Sequence, residues 1–301
     1  MSLVPFKDLM ASAERGQYAV GYFESWNMES LLAVADAAEA TRSPVILGFS
    51  GIYLPHPGRV VKERLSLYAA LGIEACQQLS VPACLVFNES PNLDWVLEAI
   101  DLGFGLVMFT DEDLSFEDQL DRVRQVVKEA HRVSVAVEGE LTPVPGVDGE
   151  LKRMRDDLHL TDPLQARSFV ERTGVDALAV NVGQAHLHGR REVHLNLPRL
   201  AELRKAVPVP LVLHGASSIC RTDLVEAIRL GIRKINVGSV LKQSYLQAMC
   251  RACARITEDY NPYEMVGSGL DRDVLTRGRV ALQKTVEDLM RTFGSAGAGC
   301  V

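Results

Sequence analysis

Two histidines and a set of carboxylates stand at equivalent places in this chain, each just past a short apolar stretch. His214 follows residues 210–213, and His186 comes shortly after residues 177–182. Glu138 and Glu140 follow residues 134–137, Asn88 and Glu89 follow 83–87, and Glu24 follows 18–23. Imidazoles and carboxylates meeting at one rim suit a divalent metal ion that keeps a position open for substrate, with His186 and His214 as its candidate ligands. A second chemistry is anion binding. Gly215, Ala216 and Ser217 come after one apolar stretch, Asn236, Gly238 and Ser239 belong to the end of another, and Ser50 ends a third. Small and hydroxyl-bearing residues at such points let backbone amides approach an anion, and the helix starts beside them add favourable dipoles.

The elements that must position these groups alternate. Short apolar stretches at 18–23, 45–49, 83–87, 106–109, 134–137, 177–182, 210–213 and 235–237 read as buried parallel strands. Between them, residues 28–40, a stretch ending near 79, 95–100, 116–131, 164–172, 197–206 and 223–229 have helical apolar spacing. Eight strands alternating with helices imply a closed (β/α)8 barrel of the TIM type, one domain over residues 1–301. Extra C-terminal helices at 240–256 and 273–293 exceed what eight units need, and the last is free to close the barrel base or meet a partner subunit. Active sites of this fold lie at the C-terminal ends of the strands, which is where the candidate residues fall. The segment 142–157, with two Pro, two Gly and many charges, reads as a loop over that site.

Composition narrows the class. A chain of 301 residues with 47% apolar content builds a large core, and its formal charge of −7 with no basic cluster argues against nucleic acid. No apolar run is long enough for a membrane span and no leader pattern opens the chain, so a cytoplasmic enzyme is the expectation. The six cysteines are scattered and read as structural or free thiols. His159, His188 and His194 read as exposed loop residues. Lys234, a conceivable Schiff-base lysine, reads as a surface residue at the start of the last strand, away from the site.

The order and spacing of the blocks at 18–50, 137–141, 161–186, 210–218 and 234–239 resemble the class II, metal-dependent ketose-bisphosphate aldolases, the fructose- and tagatose-bisphosphate aldolases. The resemblance covers nearly the whole chain. It implies that His186 and His214 are zinc ligands and that residues 215–217 and 236–239 hold a substrate phosphate. Where the family has His-Leu-Asp-His-Gly, this chain has Val86, Phe87, Asn88, Glu89 and Ser90. The family's proton-transferring Asp is thus Asn88, whose amide cannot exchange a proton with a hydroxyl near neutral pH. Its third zinc His is Glu89, which either completes a His2Glu site, a set that also suits harder ions such as manganese, magnesium or cobalt, or carries the displaced proton while Glu138 or Glu140 binds the metal. The glycine after the second zinc His is Leu187, the family's GGSG is GASS, and Glu24 replaces an Asn.

The resemblance implies a lyase that cleaves a ketose phosphate through a metal-stabilised enediolate, with Glu89, Glu24, Glu140 or the loop acids Asp148 and Glu150 carrying protons and with weak activity on fructose 1,6-bisphosphate. Two other readings stay open: a sugar-phosphate isomerase or epimerase, which moves only a proton, and a non-catalytic paralogue. The partner is a small sugar phosphate, and a homodimer or homotetramer is expected.

Overall fold

The structure, a computed structural model, describes residues 2–141, 160–185 and 192–299. Eight parallel strands close a barrel in sequence order. They are β1 (Val20–Ser25), β2 (Val45–Ser50), β3 (Ala83–Ser90), β4 (Leu106–Phe109), β5 (Ala136–Glu140), β6 (Ala177–Ala179), β7 (Leu211–Leu213) and β8 (Ile232–Val237). The helices are α1 (Phe6–Gly16), α2 (Met28–Thr41), α3 (Leu65–Gln78), α4 (Leu93–Asp101), α5 (Phe116–Arg132), α6 (Pro163–Thr173), α7 (Leu197–Ala206), α8 (Arg221–Arg229), α9 (Ser239–Cys253), α10 (Pro262–Met265) and α11 (Val274–Thr292).

The period-two alternation of a strand divides the core into two layers. Outward residues such as Phe23, Leu47, Phe87, Val107, Val137 and Leu213 pack under the helices. Inward residues such as Val20, Tyr22, Ile46, Val86, Leu106, Ala136 and Val212 fill the barrel. Local signals fix the helix starts: Asn27, Asn92, Ser115, Asp162 and Asn196 each accept a backbone N–H from the first turn of the helix that follows.

The base of the barrel differs from the expectation. The element that closes it is α1, absent from the sequence reading, whose Phe6, Leu9, Met10 and Ala13 join the inward layer. Leu3 bridges to Ala83, and Val4 N–H donates to Ala83 O, at the N-terminal end of β3. The C-terminal helices lie elsewhere: α11 packs on α2 and α9 and touches β1, with Phe293 stacked on Phe23 at 6.0 Å between ring centroids.

The last strand begins earlier than its apolar run suggests. β8 starts at Ile232, so Lys234 stands inside the strand and its side chain is fully buried. The surface reading of Lys234 is therefore wrong: the inward register carries it into the barrel with Tyr22 and Glu138. Among the described residues no helix is long and apolar enough to cross a membrane. Cys76, Cys84, Cys220, Cys250 and Cys253 are free thiols.

Candidate active site

The barrel's inward register continues past the apolar layer and delivers polar side chains to its C-terminal mouth. On β5, Ala136 faces in, Val137 out, and Glu138 and Glu140 in; both carboxylates are buried. On β7, Val212 faces in, so His214, two residues on, emerges beside them with 1% exposure. His214 is enclosed by acids: Nε2 lies 2.8 Å from Glu138 Oε1, and Nδ1 lies 2.9 Å from Glu89 Oε1 and 3.9 Å from Glu140 Oε1.

Glu89 reaches that place by an irregular route. Strand β3 pairs Phe87 with Val107 and Ser90 with Phe109, so it holds one residue more than β4 over the same span. Glu89 takes the left-handed backbone conformation at φ 53°, uncommon for a residue with a long side chain. The bulge turns Asn88 and Glu89 toward the same mouth, where strict alternation would part them. Asn88 is buried and committed: its Nδ2 donates to Glu89 Oε2 at 2.8 Å and its Oδ1 accepts from Asn236 Nδ2 at 3.2 Å. It aims the Glu89 carboxylate and has no proton to exchange.

The electrostatics follow from this crowding. Burial, with Glu89 and Glu138 nearby, raises the Glu140 carboxyl to about 8 against the pull of His214. For Glu138 burial also works upward, but Lys234 and His214 outweigh it and hold the carboxyl below its usual range. Burial would depress the His214 imidazole, yet Glu89 and Glu138 outweigh it and push it up to about 10.

This donor set answers the metal expectation in part. An imidazole nitrogen and a carboxylate oxygen 2.9 Å apart, with a second carboxyl oxygen 3.9 Å from the same nitrogen, are donor types that divalent first-row metals accept. The ligand atoms are not drawn into one coordination radius. Among the described residues, the three-donor group within 4.8 Å is His194, Cys220 and Asp223, in the segments that follow β6 and β7. There His194 is exposed, as expected, and pairs with Asp223 at 3.0 Å. His186 lies outside the described residues, as do His159, His188, Leu187 and the loop 142–157.

The anion residues fall beside this cluster. Gly215 adopts φ 67°, a left-handed turn that glycine makes without strain, and opens a 3-10 turn over Ala216–Ser218. Ser217 Oγ accepts from Val240 N–H at 3.3 Å, tying that turn to the start of α9, which Gly238 and Ser239 form. Ser50 Oγ accepts from Ile52 N–H at 3.3 Å. The cradle already holds a charge: Glu24 packs so closely that a Cβ on Gly238 would stand 2.5 Å from Glu24 Oε2. Lys242, in the first turn of α9, ion-pairs with Glu24, and its ammonium lies over Tyr53 at 5.0 Å and Trp26 at 5.6 Å. Lys242 was not singled out from sequence. A cation one helical turn past the Gly-Ser at a strand end was the available signal. His56, in the loop after β2, accepts from Gly58 N–H at Nδ1 within an exposed turn.

A closed parallel barrel with acids and an imidazole converging at its C-terminal mouth defines an enzyme-type barrel with a polar, proton-handling centre. The family model for class-II fructose-bisphosphate aldolase matches residues 4–298, and the chain belongs to that family. It is 31% identical to a fructose-bisphosphate aldolase of Thermus caldophilus over 98% of this chain and 99% of the relative. The YdjI aldolase from Escherichia coli K12 superposes with a TM-score of 0.81 at 29% identity, covering 99% of this chain and all (100%) of that one. A putative fructose-1,6-bisphosphate aldolase from Coccidioides immitis gives 0.80 at 26% identity, covering 98% of this chain and 97% of that one. Family membership makes the chain an aldolase-type lyase.

Proposed function

We propose that this lyase cleaves a ketose phosphate with the help of one divalent ion, and that fructose 1,6-bisphosphate is a poor substrate for it. The observation that carries the reading is the arrangement around His214: carboxylates of three residues face one imidazole at the mouth, while Asn88 spends both ends of its amide on its neighbours. His214 and Glu89, with His186 by family resemblance, would hold the ion, which when bound supplies Lewis acidity to the ketose carbonyl. The chain's own groups do the rest. Gly215, Ser217, Gly238 and Ser239 offer amides and hydroxyls to the phosphate, and Lys242 offsets the charge Glu24 brings to the same cradle. Asn88 cannot take a proton from the substrate hydroxyl that the family's Asp serves, so that step falls to a carboxylate, Glu140 or Glu89.

The test is a panel of ketose phosphates incubated with protein loaded with zinc, manganese or cobalt, with triose release as the readout. Metal-dependent triose formation from at least one member is expected. General-base catalysis is worth about 10²- to 10⁴-fold, so cleavage of fructose 1,6-bisphosphate should fall short of an ordinary family member by that order. Interconversion of sugar phosphates without triose would replace cleavage by an isomerase or epimerase. No turnover and no metal would leave a non-catalytic paralogue.

A further inference from the structure

The chemistry proposed above gives no task to Lys234, yet its ammonium is fully buried in the barrel below His214. A desolvated ammonium is costly unless its surroundings compensate it, so its contacts are informative. Lys234 Nζ lies 2.8 Å from Glu138 Oε2. That approach is off the hydrogen-bond direction, so charge holds it, and the directed hydrogen bond goes to Asn236 Oδ1. The Tyr22 ring covers it from the side, 5.3 Å from the ammonium to the ring centroid.

These partners are the two residues that meet His214 Nε2. Glu138 Oε1 is 2.8 Å from that nitrogen and Asn236 Nδ2 is 2.9 Å from it. One nitrogen cannot serve both, because the carboxylate needs a proton on it and the amide donor needs a lone pair. Lys234 decides between them. Its charge keeps Glu138 a carboxylate, and by donating to Asn236 Oδ1 it fixes which way the amide faces. The Asn236 Nδ2 then has a proper acceptor in Asn88 Oδ1 at 3.2 Å. Nε2 therefore carries hydrogen toward Glu138 whatever the charge on the ring, and Nδ1, turned to Glu89 and Glu140 at the mouth, is the nitrogen whose hydrogen a bound ion would displace. Imidazoles that bind metals commonly donate their other N–H to a carboxylate in this way.

We propose that Lys234 is a positioning residue: by clamping Glu138 and Asn236 it holds His214 with hydrogen on Nε2 and presents Nδ1 to the divalent ion. This rests on the reading of His214 as a ligand. The ammonium never meets substrate; it acts two contacts away.

The experiment uses the full chain loaded with zinc for ¹⁵N–¹H NMR of the His214 ring, and with cobalt for binding titrations by visible absorbance. Wild-type protein should show the His214 proton on Nε2, sheltered from solvent exchange, and bind cobalt at the barrel mouth. Lys234→Met should lose that sheltered signal and weaken cobalt binding about 10- to 100-fold, the usual consequence of removing a partner behind a metal ligand. Because Lys234→Met alone strands a buried carboxylate, Lys234→Met with Glu138→Leu is the companion variant. Removing both charges should restore thermal stability without restoring cobalt affinity. A His214 proton on Nδ1 in the zinc-loaded wild type would overturn the proposal, as would wild-type cobalt affinity in either folded variant. Wild-type protein that takes up no cobalt or zinc would overturn the metal reading itself, which a difference among variants cannot do.

Discussion

Replacing Asn88 by Asp should weaken this protein before it improves it. The new carboxylate would stand where Asn88 Nδ2 now donates to Glu89 Oε2 at 2.8 Å. Two unit charges about 3 Å apart repel by about 5 kcal/mol at an effective dielectric constant of about 20. The protein escapes most of that by taking up a proton or turning Glu89 away. What remains is the lost hydrogen bond to a charged acceptor, about 1.5–3 kcal/mol. In a chain of this size that lowers the thermal midpoint on the order of 5 °C. Adding Glu89→His changes the sign of the argument. The pair becomes a carboxylate beside an imidazole, and His tolerates the left-handed backbone at this position better than Glu does. Asn88→Asp with Glu89→His should regain the lost stability and cleave fructose 1,6-bisphosphate faster than either the wild type or Asn88→Asp. Scanning calorimetry and a triose-release assay on the three proteins decide it. An Asn88→Asp protein as stable as wild type near pH 7.5, or a double variant no better than the single, would refute the picture of Asn88 as the clamp on Glu89.

Three further outcomes follow from residues around the mouth and base. Glu24→Gln removes the negative charge from the anion cradle while leaving Lys242 in place, so inorganic phosphate should bind more tightly, measured by calorimetric titration at low salt. Gly238→Ala puts a Cβ against Glu24 Oε2 and should cost about 1–3 kcal/mol of stability in urea unfolding, a loss that Gly238→Ala with Glu24→Ala largely relieves. At the barrel base Glu14 joins Arg233 and Arg204, and although burial works against it, the two guanidiniums hold its carboxyl below the usual range. Its contribution to stability is therefore present above the usual carboxylate range and lost as pH falls through the lowered folded value, so Glu14→Gln should flatten the acid limb of a stability–pH curve.

Much of this was legible in the chain because a strand's alternation extends beyond its apolar residues. Val212 facing in places His214 in, and Ala136 facing in places Glu138 and Glu140 in, so the strand ends named the mouth. The relation among those groups was less legible. Glu138 faces Nε2 rather than Nδ1 because a lysine on another strand holds it, and no spacing along the sequence encodes that. The charge of Lys234 precedes an apolar run and so resembles a strand boundary, although the residue lies inside β8. A lysine in the inward register opposite a buried acid was the physical clue. Helix α1 also carries a sequence signal, the helical spacing of Phe6, Leu9, Met10 and Ala13, but it precedes the first strand and so stands outside the alternation that marks a barrel.

The extra residue in β3 has a consequence for how such a site can change over generations. A regular strand offers one inward position in two, so adjacent residues are ordinarily partitioned between core and site and vary under separate constraints. Here the bulge recruits neighbours, and Asn88 and Glu89 form a two-letter unit whose members touch each other as well as the centre. Such a unit is expected to evolve by paired exchange, since a change at one position alone meets a mismatched neighbour. Deleting a residue there would restore register with β4, keep a barrel, and return one of the two side chains to the helix layer. The chemistry at this corner is thus tied to a counting irregularity in the backbone, and substitution and deletion should be felt there as different kinds of event: the first retunes the centre, the second dismantles it.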